Sequence, residues 1–207
     1  MNVLDSGRTV VRGIMKQIAQ RLHKLSHGRI TPNAITMFGF MMHIPIAYLI
    51  AAGSQYWAAG LLVVFGLFDA LDGELARLQN KASNAGMVLD ASTDRMKEVL
   101  LYTGAAYALA SSDHPKQAVW AVAACGASLC VSYVKAKGET AVRDSKLTPN
   151  QINRLFADGL MRFEIRMLVL VIGLLCGQLA IAVAAIAISA TFTAFSRLIR
   201  ITRKLST

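Results

Sequence analysis

Residues 68–95 read FDALDGELARLQNKASNAGMVLDASTDR, and this stretch decides the fold. It sets four aspartates, Asp69, Asp72, Asp90 and Asp94, between two apolar runs. Asp69 and Asp72 are three residues apart and Asp90 and Asp94 four apart. On helices, each pair projects from one face about one turn apart. A carboxylate near hydrocarbon costs roughly 2.5–3.5 kcal/mol even on the milder scales, so a group of four is normally kept for function. Two such pairs, on helices that meet at a polar turn, can converge on common cations.

The rest of the chain supplies the hydrocarbon side of that argument. Its 207 residues are 55% hydrophobic yet carry a net charge of +10, which is too apolar for an ordinary soluble domain and implies that apolar runs and basic loops are segregated. The apolar runs are 33–53, 56–71, 88–110, 118–134, 167–176 and 179–199. They predict an all-α integral membrane protein with six transmembrane helices. Several runs are shorter than the roughly 20 residues needed to span the bilayer, so their flanks must complete the crossing. The run at Met167 is therefore extended back toward Asp158.

The basic residues test this topology separately. With six crossings and a cytoplasmic N-terminus, Arg8 to Arg29, Arg77, Lys81, Lys135 to Arg166 and Arg197 to Lys204 all fall on the cytoplasmic side. Only Lys116 falls clearly in an outside loop. Positive residues in short loops resist translocation, so both termini and the aspartates are expected at the cytoplasmic face of the cell inner membrane.

Residues 1–30 lack the apolar core and small-residue cleavage site of a signal peptide. Val11, Ile14, Ile18, Leu22 and Leu25 follow helical spacing with Arg8, Arg12, Lys16, Arg21 and Lys24 interleaved. This predicts a juxtamembrane amphipathic helix lying on the anionic inner leaflet; a solvated basic helix is the alternative. With no repeat or long linker, residues 1–207 are expected to form one domain, with the six-helix bundle over 31–207. A membrane protein of this kind is expected to engage lipids and no nucleic acid. Cys125, Cys130 and Cys176 lie in predicted spans without a CxxC partner and read as buried thiols. His43, in the first span, is either a proton relay or a ring satisfied by a neighbouring backbone group.

Oxygen ligands at this density suit hard cations, and Mg²⁺ typically combines a few carboxylates with substrate phosphate oxygens. Gly73, Ala76, Ala82, Ala85 and Gly86 interrupt the region with small side chains that let helices, or a ligand, approach the backbone closely. A nucleotide diphosphate is a natural candidate, and Arg77 either balances carboxylate charge or contacts phosphate.

These residues resemble the signature of the CDP-alcohol phosphotransferase family, D-x2-D-G-x2-A-R-x8-G-x3-D-x3-D. It is complete here as Asp69, Asp72, Gly73, Ala76, Arg77, Gly86, Asp90 and Asp94. The resemblance implies that Asp69, Asp72 and Asp90 hold two Mg²⁺ ions, or Mn²⁺, against the pyrophosphate of a CDP-linked lipid, CDP-diacylglycerol above all. Asp94 would complete the metal site and act as general base toward the acceptor hydroxyl. Gly73, Ala76 and Gly86 would make room for the cytidine, Arg77 would face phosphate, and Asn33 and Thr36 in TPNAIT would touch the donor. A homodimer is also implied. Alternatively, Thr31 and Pro32 explain the TPNAIT segment as a helix start.

Within the family, Asp94 followed by Arg95 is similar to the synthases that use inositol phosphate, and SYVKAKGE at 132–139 resembles the end of their fourth span. A phosphorylated acceptor needs a cationic pocket, which Ser132, Lys135, Lys137, Arg154, Arg162 and Arg166 would supply. Basic cytoplasmic loops also follow from topology alone. Glycerol 3-phosphate is the competing acceptor. A divalent-cation transporter lined by the carboxylates, or a lipid-binding scaffold, are the readings from other classes.

Overall fold

The structure is a computed structural model that describes residues 3–142 and 161–205. Eight α-helices lie among them: α1 (Val3–Leu25), α2 (Pro32–Ala51), α3 (Gln55–Gly66), α4 (Phe68–Leu78), α5 (Asn84–Ala110), α6 (Ala118–Val142), α7 (Phe163–Leu175) and α8 (Leu179–Leu205). A 3₁₀ turn, Pro115–Gln117, leads into α6, and the described residues contain no strand. Three helical stretches, Pro32–Ala51, Pro115–Ala141 and Leu179–Arg203, are long and apolar enough to cross a membrane. By contrast, α3 and α7 have 12 and 13 residues, or about 18–20 Å of helix. α5 has 27 residues but carries Asp90, Asp94, Arg95, Lys97 and Glu98 between positions 90 and 98. The backward extension of the fifth run toward Asp158 lies outside the described residues.

The predicted second span is two helices rather than one. The chain breaks at Leu67, whose amide reaches back to the Val64 carbonyl at 3.3 Å while its own carbonyl accepts from Ala70 and Leu71. Gly66, among the weakest helix formers, precedes the break. Phe38, Phe65 and Phe68 surround it with ring centroids 5.0–6.0 Å apart. Gly39 lets Phe68 sit close against α2, since a Cβ there would meet the Phe68 Cβ at 3.3 Å. The break starts α4 immediately before Asp69.

The described residues divide into two compact units. One comprises Met1–Tyr48 and Gly60–Leu101, the other Leu49–Ala59 and Tyr102–Thr207. In the first, α1 packs on α4 through Met15, Ala19, Leu71 and Leu75, with Ile35 of α2 in the same cluster and Leu22 and Ile30 at its margin. Val11, Ile14, Ile18 and Leu25 stay exposed on the adjacent face. The stripe read from the sequence is thus split, with Leu22 turned toward the core. Thr31 caps α2, its hydroxyl accepting the Ala34 amide at 3.2 Å, with Pro32 in the first turn where its missing N–H costs nothing. His43 is buried, and its Nδ1–H donates to the Gly39 carbonyl at 2.7 Å, the backbone-satisfied arrangement.

In the second unit α8 packs on α6 and α7. Ala121, Ala124, Ser128 and Val131 form the buried stripe of α6, so small residues there serve packing inside the chain. Ser128 also hydrogen-bonds Tyr102, 3.3 Å between oxygens. Gly173 of α7 allows close approach of α8, because a Cβ at that position would fall 2.2 Å from the Ala182 Cβ. None of the three cysteines forms a disulfide among the described residues; Cys125 is half-buried, and Cys130 and Cys176 are exposed rather than buried. Cys130 lies off the buried stripe of α6, and Cys176 follows the last residue of α7.

Candidate functional site

The carboxylate site is built wholly within the first unit, from α2, α4 and α5. The break at Leu67 places Asp69 in the first turn of α4, where the unpaired amides of a helix N-terminus favour negative charge. Asp72 follows one turn on and is buried; the Thr36 hydroxyl of α2 donates to its Oδ2 at 2.5 Å. The α5 side begins with a second cap, the Gly86 amide donating to Ser83 Oγ at 3.1 Å. From that start Asp90, Asp94 and Lys97 follow at helical spacing along α5.

Asp69, Asp72 and Asp90 converge, each offering a carboxylate oxygen within 4.8 Å of the others. Oxygens around a single Mg²⁺ lie at most about 4.2 Å apart, twice the metal–oxygen distance, so a small closure completes a site. One feature of the structure asks for a cation: Asp90 Oδ1 is buried with no hydrogen-bond partner among the described residues. A buried carboxylate oxygen left in that state is costly. The donor set is all oxygen and suits a hard divalent ion.

Asp94 is not one of these three, but its carboxyl meets that of Asp69. Its Oδ1 lies 3.2 Å from Lys97 Nζ and its Oδ2 lies 3.8 Å from the Arg95 guanidinium. Lys97 is 1% exposed and also reaches Asp69 Oδ1 at 2.5 Å. Arg95 in turn pairs with the fully buried Glu98 at 2.7 Å. Sequence reasoning missed both Lys97 and Glu98. The available signal was a charged pair inside the apolar run 88–110, with Lys97 one and two turns beyond Asp94 and Asp90.

Arg77 balances a carboxylate, but not one of the four. Its Nη2 donates to Glu74 Oε1 at 2.6 Å, and Arg12 Nε of α1 donates to the same oxygen at 2.8 Å. The hydrogen bond from Arg77, with that from Arg12, holds the Glu74 carboxyl below its usual range. Gly86 sits tightly, a Cβ there meeting Ser83 Oγ at 3.3 Å and Asn33 Oδ1 at 3.5 Å. At Gly73 the space is open as far as Arg77 Nη2, 3.7 Å from the corresponding point, and Ala76 lies one turn beyond Asp72.

The remaining basic candidates belong to the second unit. Arg166 is buried and its Nη1 donates to the Met161 carbonyl at 2.6 Å. Arg197, which the sequence offered only as a flanking charge, is also buried and donates to the Val131 carbonyl at 3.1 Å. Arg162, Arg166, Arg200 and Glu139 all act electrostatically on Arg197. Lys135 is half-exposed, 3.7 Å from Glu139. Lys137 lies 6.0 Å from the centre of the Tyr133 ring, and Ser132 donates to the Ser128 carbonyl. Arg154 lies outside the described residues.

Comparison with known proteins gives a consistent picture. The sequence profile of the CDP-alcohol phosphatidyltransferase family matches residues 29–195. Phosphatidylinositol phosphate synthase of Corynebacterium glutamicum is 36% identical over 136 residues, covering 64% of this chain and 61% of that protein. Archaetidylinositol phosphate synthase of Pyrococcus horikoshii is 36% identical over 97 residues, 46% of this chain and 52% of that one. The chain thus spans less than two thirds of the length of these relatives. Crystal structures of Mycobacterium tuberculosis phosphatidylinositol phosphate synthase share the fold. The form with CDP-DAG bound gives a TM-score of 0.76 at 24% identity, covering 91% of this chain and 93% of that one. The form with manganese and citrate gives 0.78 at 22% identity, covering 91% and 88%.

Proposed function

The chain belongs to the CDP-alcohol phosphatidyltransferase family, and we propose that it moves the phosphatidyl group of CDP-diacylglycerol to a phosphorylated alcohol, inositol phosphate being favoured, with release of CMP. The observation that carries the reading is the convergence of Asp69, Asp72 and Asp90 beside the unsatisfied Asp90 oxygen. The relatives named for inositol phosphate chemistry support the choice of acceptor.

Asp69, Asp72 and Asp90 would hold divalent metal, Mg²⁺ or Mn²⁺. When bound, the metal supplies charge neutralisation at the diphosphate and a Lewis acid for the phosphorus under attack. The protein's own groups do the rest. Asp94, 3.2 Å from Lys97 Nζ and 3.8 Å from the Arg95 guanidinium, takes the proton of the acceptor hydroxyl. That oxygen forms a bond to the lipid-side phosphorus while the bond from this phosphorus to the CMP oxygen breaks. Asp94 is thus the general base, within the requirement that such a group reach the proton it removes. Asn33, Thr36, Gly73, Ala76, Arg77 and Gly86 line the donor side. Thr36 acts by fixing Asp72, and Arg77 by presenting a guanidinium anchored on Glu74. Ser132, Lys135, Lys137, Arg154, Arg162 and Arg166 are assigned to the acceptor phosphate.

The same reading gives the chain six membrane crossings with both termini and the carboxylates at the cytoplasmic face, in support of which stand the three apolar helices and the segregation of basic residues. It lays α1 on the inner leaflet through the exposed Val11, Ile14, Ile18 and Leu25. The test is CMP release by purified protein with CDP-diacylglycerol and Mg²⁺, given inositol 1-phosphate, glycerol 3-phosphate, inositol or serine separately. Release with inositol 1-phosphate alone, abolished by chelation, is expected. Release only with glycerol 3-phosphate would reassign the acceptor, and donor binding without release with any of the four would refute all these acceptors. Divalent-ion flux through vesicles with no lipid turnover would replace the enzyme by a transporter.

A further inference from the structure

Lys97 has no place in the signature around it, yet it is the most deeply placed cation of the carboxylate site. Its ammonium sits between two acids from different helices, 2.5 Å from Asp69 Oδ1 on α4 and 3.2 Å from Asp94 Oδ1 on α5. That is the position an ion shared by Asp69 and Asp94 would take. We propose that Lys97 is a built-in second cation, so that this chain holds one divalent ion, on Asp69, Asp72 and Asp90, and keeps Asp94 out of the metal shell. The inference rests on the reading of those three aspartates as metal ligands.

Three observations carry it. Among the described residues the mutually converging carboxylates are Asp69, Asp72 and Asp90, and Asp94 meets this group at Asp69, on the side where Lys97 lies. The unsatisfied oxygen that asks for an ion belongs to Asp90, whereas Asp69 and Asp94 already have their cation. Finally, Lys97 is 1% exposed, so it has no solvent to withdraw into if a metal arrives. Displacing it would leave a buried ammonium without its partners, which is strongly unfavourable. A second divalent ion on Asp69 and Asp94 would therefore meet both a steric block and like-charge repulsion at close range.

The consequence is a division of labour. Asp94, held by a lysine instead of a metal, keeps a carboxylate oxygen for the acceptor proton. Asp69, which meets Lys97 through Oδ1 and also belongs to the converging group, would serve both cations.

The experiment is to count Mn²⁺ bound per chain by equilibrium dialysis of the purified full-length protein in detergent, with electron paramagnetic resonance on the same samples. Wild-type protein is expected to bind one tightly held Mn²⁺ with the spectrum of an isolated ion. Lys97→Met, which keeps length and apolar bulk, is expected to bind two and to show the broadening of a spin-coupled pair. Two coupled ions in the wild type would overturn the role of Lys97 while leaving the metal site intact. A count of one in both proteins would also overturn it, because Lys97 would not be the block. No Mn²⁺ bound at all would remove the metal reading of Asp69, Asp72 and Asp90 and this inference with it. Should Lys97→Met fail to fold, the wild-type count and spectrum decide alone.

Discussion

Thr36→Val is the substitution that tests how the metal site is held. Valine matches threonine in shape and replaces only the hydroxyl, which is buried and 2.5 Å from Asp72 Oδ2. The same hydroxyl lies 3.2 Å from the Pro32 carbonyl. With one proton to give, it serves the nearer, charged acceptor. A hydrogen bond to a charged group contributes about 1.5–3 kcal/mol, and each 1.4 kcal/mol is tenfold in an equilibrium constant. Loss of a group that orients a ligand typically weakens metal binding about 10–100-fold, which is the size expected here. Mn²⁺ titration of the purified protein by calorimetry reads it directly. Thr36→Ser restores the donor and should return the affinity to within a few-fold of wild type. The reasoning fails if Thr36→Val binds Mn²⁺ as well as wild type. Tighter binding would reverse the sign: the hydroxyl would then compete with the metal for Asp72 instead of presenting it.

Other consequences are equally specific. Asp94→Asn is expected to keep Mn²⁺ and donor binding but lose CMP release by at least 100-fold, within the range of general-base contributions; unchanged turnover would take the base role from Asp94. Gly173→Ala should lower the thermal midpoint in detergent, because its methyl would lie 2.2 Å from the Ala182 Cβ. Carbons settle at about 3.5–4.0 Å, and overpacking of about 1–3 kcal/mol outweighs the helix-propensity gain of about 1 kcal/mol. Adding Ala182→Gly should recover most of the loss; simple additivity of the two would refute the contact. Glu74→Gln should loosen α1, seen as faster proteolysis within it, by about 0.2–1 kcal/mol for each of the pairs to the exposed Arg12 and Arg77. Because the Glu74 carboxyl titrates below its usual range, the wild-type contribution is fully present above about pH 4.3. It is lost as pH falls through the lowered value. A wild-type α1 that loosens instead on raising the pH would contradict the assignment.

The site was legible in the sequence where it is local. Asp69 with Asp72, and Asp90 with Asp94, sit at helical spacings, and helices keep such pairs on one face whatever surrounds them. The all-helical architecture followed from the apolar runs for the same reason. What escaped depended on partners distant in sequence. The run at 56–71 continues across Leu67 with only Gly66 and Asp69 to interrupt it, too little to mark a break that Phe38 and Gly39, on another helix, help to form. Lys97 reads as an unexplained charge until α4 brings Asp69 to it. Arg77 was left between carboxylate and phosphate, although Glu74 one turn earlier was a local hint. Arg197 looked like a flanking charge because its buried environment is made by other segments of the second unit.

The four aspartates share a motif but not an electrostatic situation, and the difference locates the ion. Asp69 has Lys97, Asp72 has the Thr36 hydroxyl, and Asp94 has Lys97 with Arg95 nearby. Asp90 alone among them leaves a buried oxygen without a hydrogen-bond donor among the described residues. A protein that buries acids must satisfy each of them, and three of these have been given a partner from the chain itself. The fourth has been left for something the chain does not encode. On the proposed reading, Asp90 is where the demand for a divalent cation arises. Asp69 and Asp72, already supported, can lend their remaining oxygens to that ion without leaving any charge stranded before it binds.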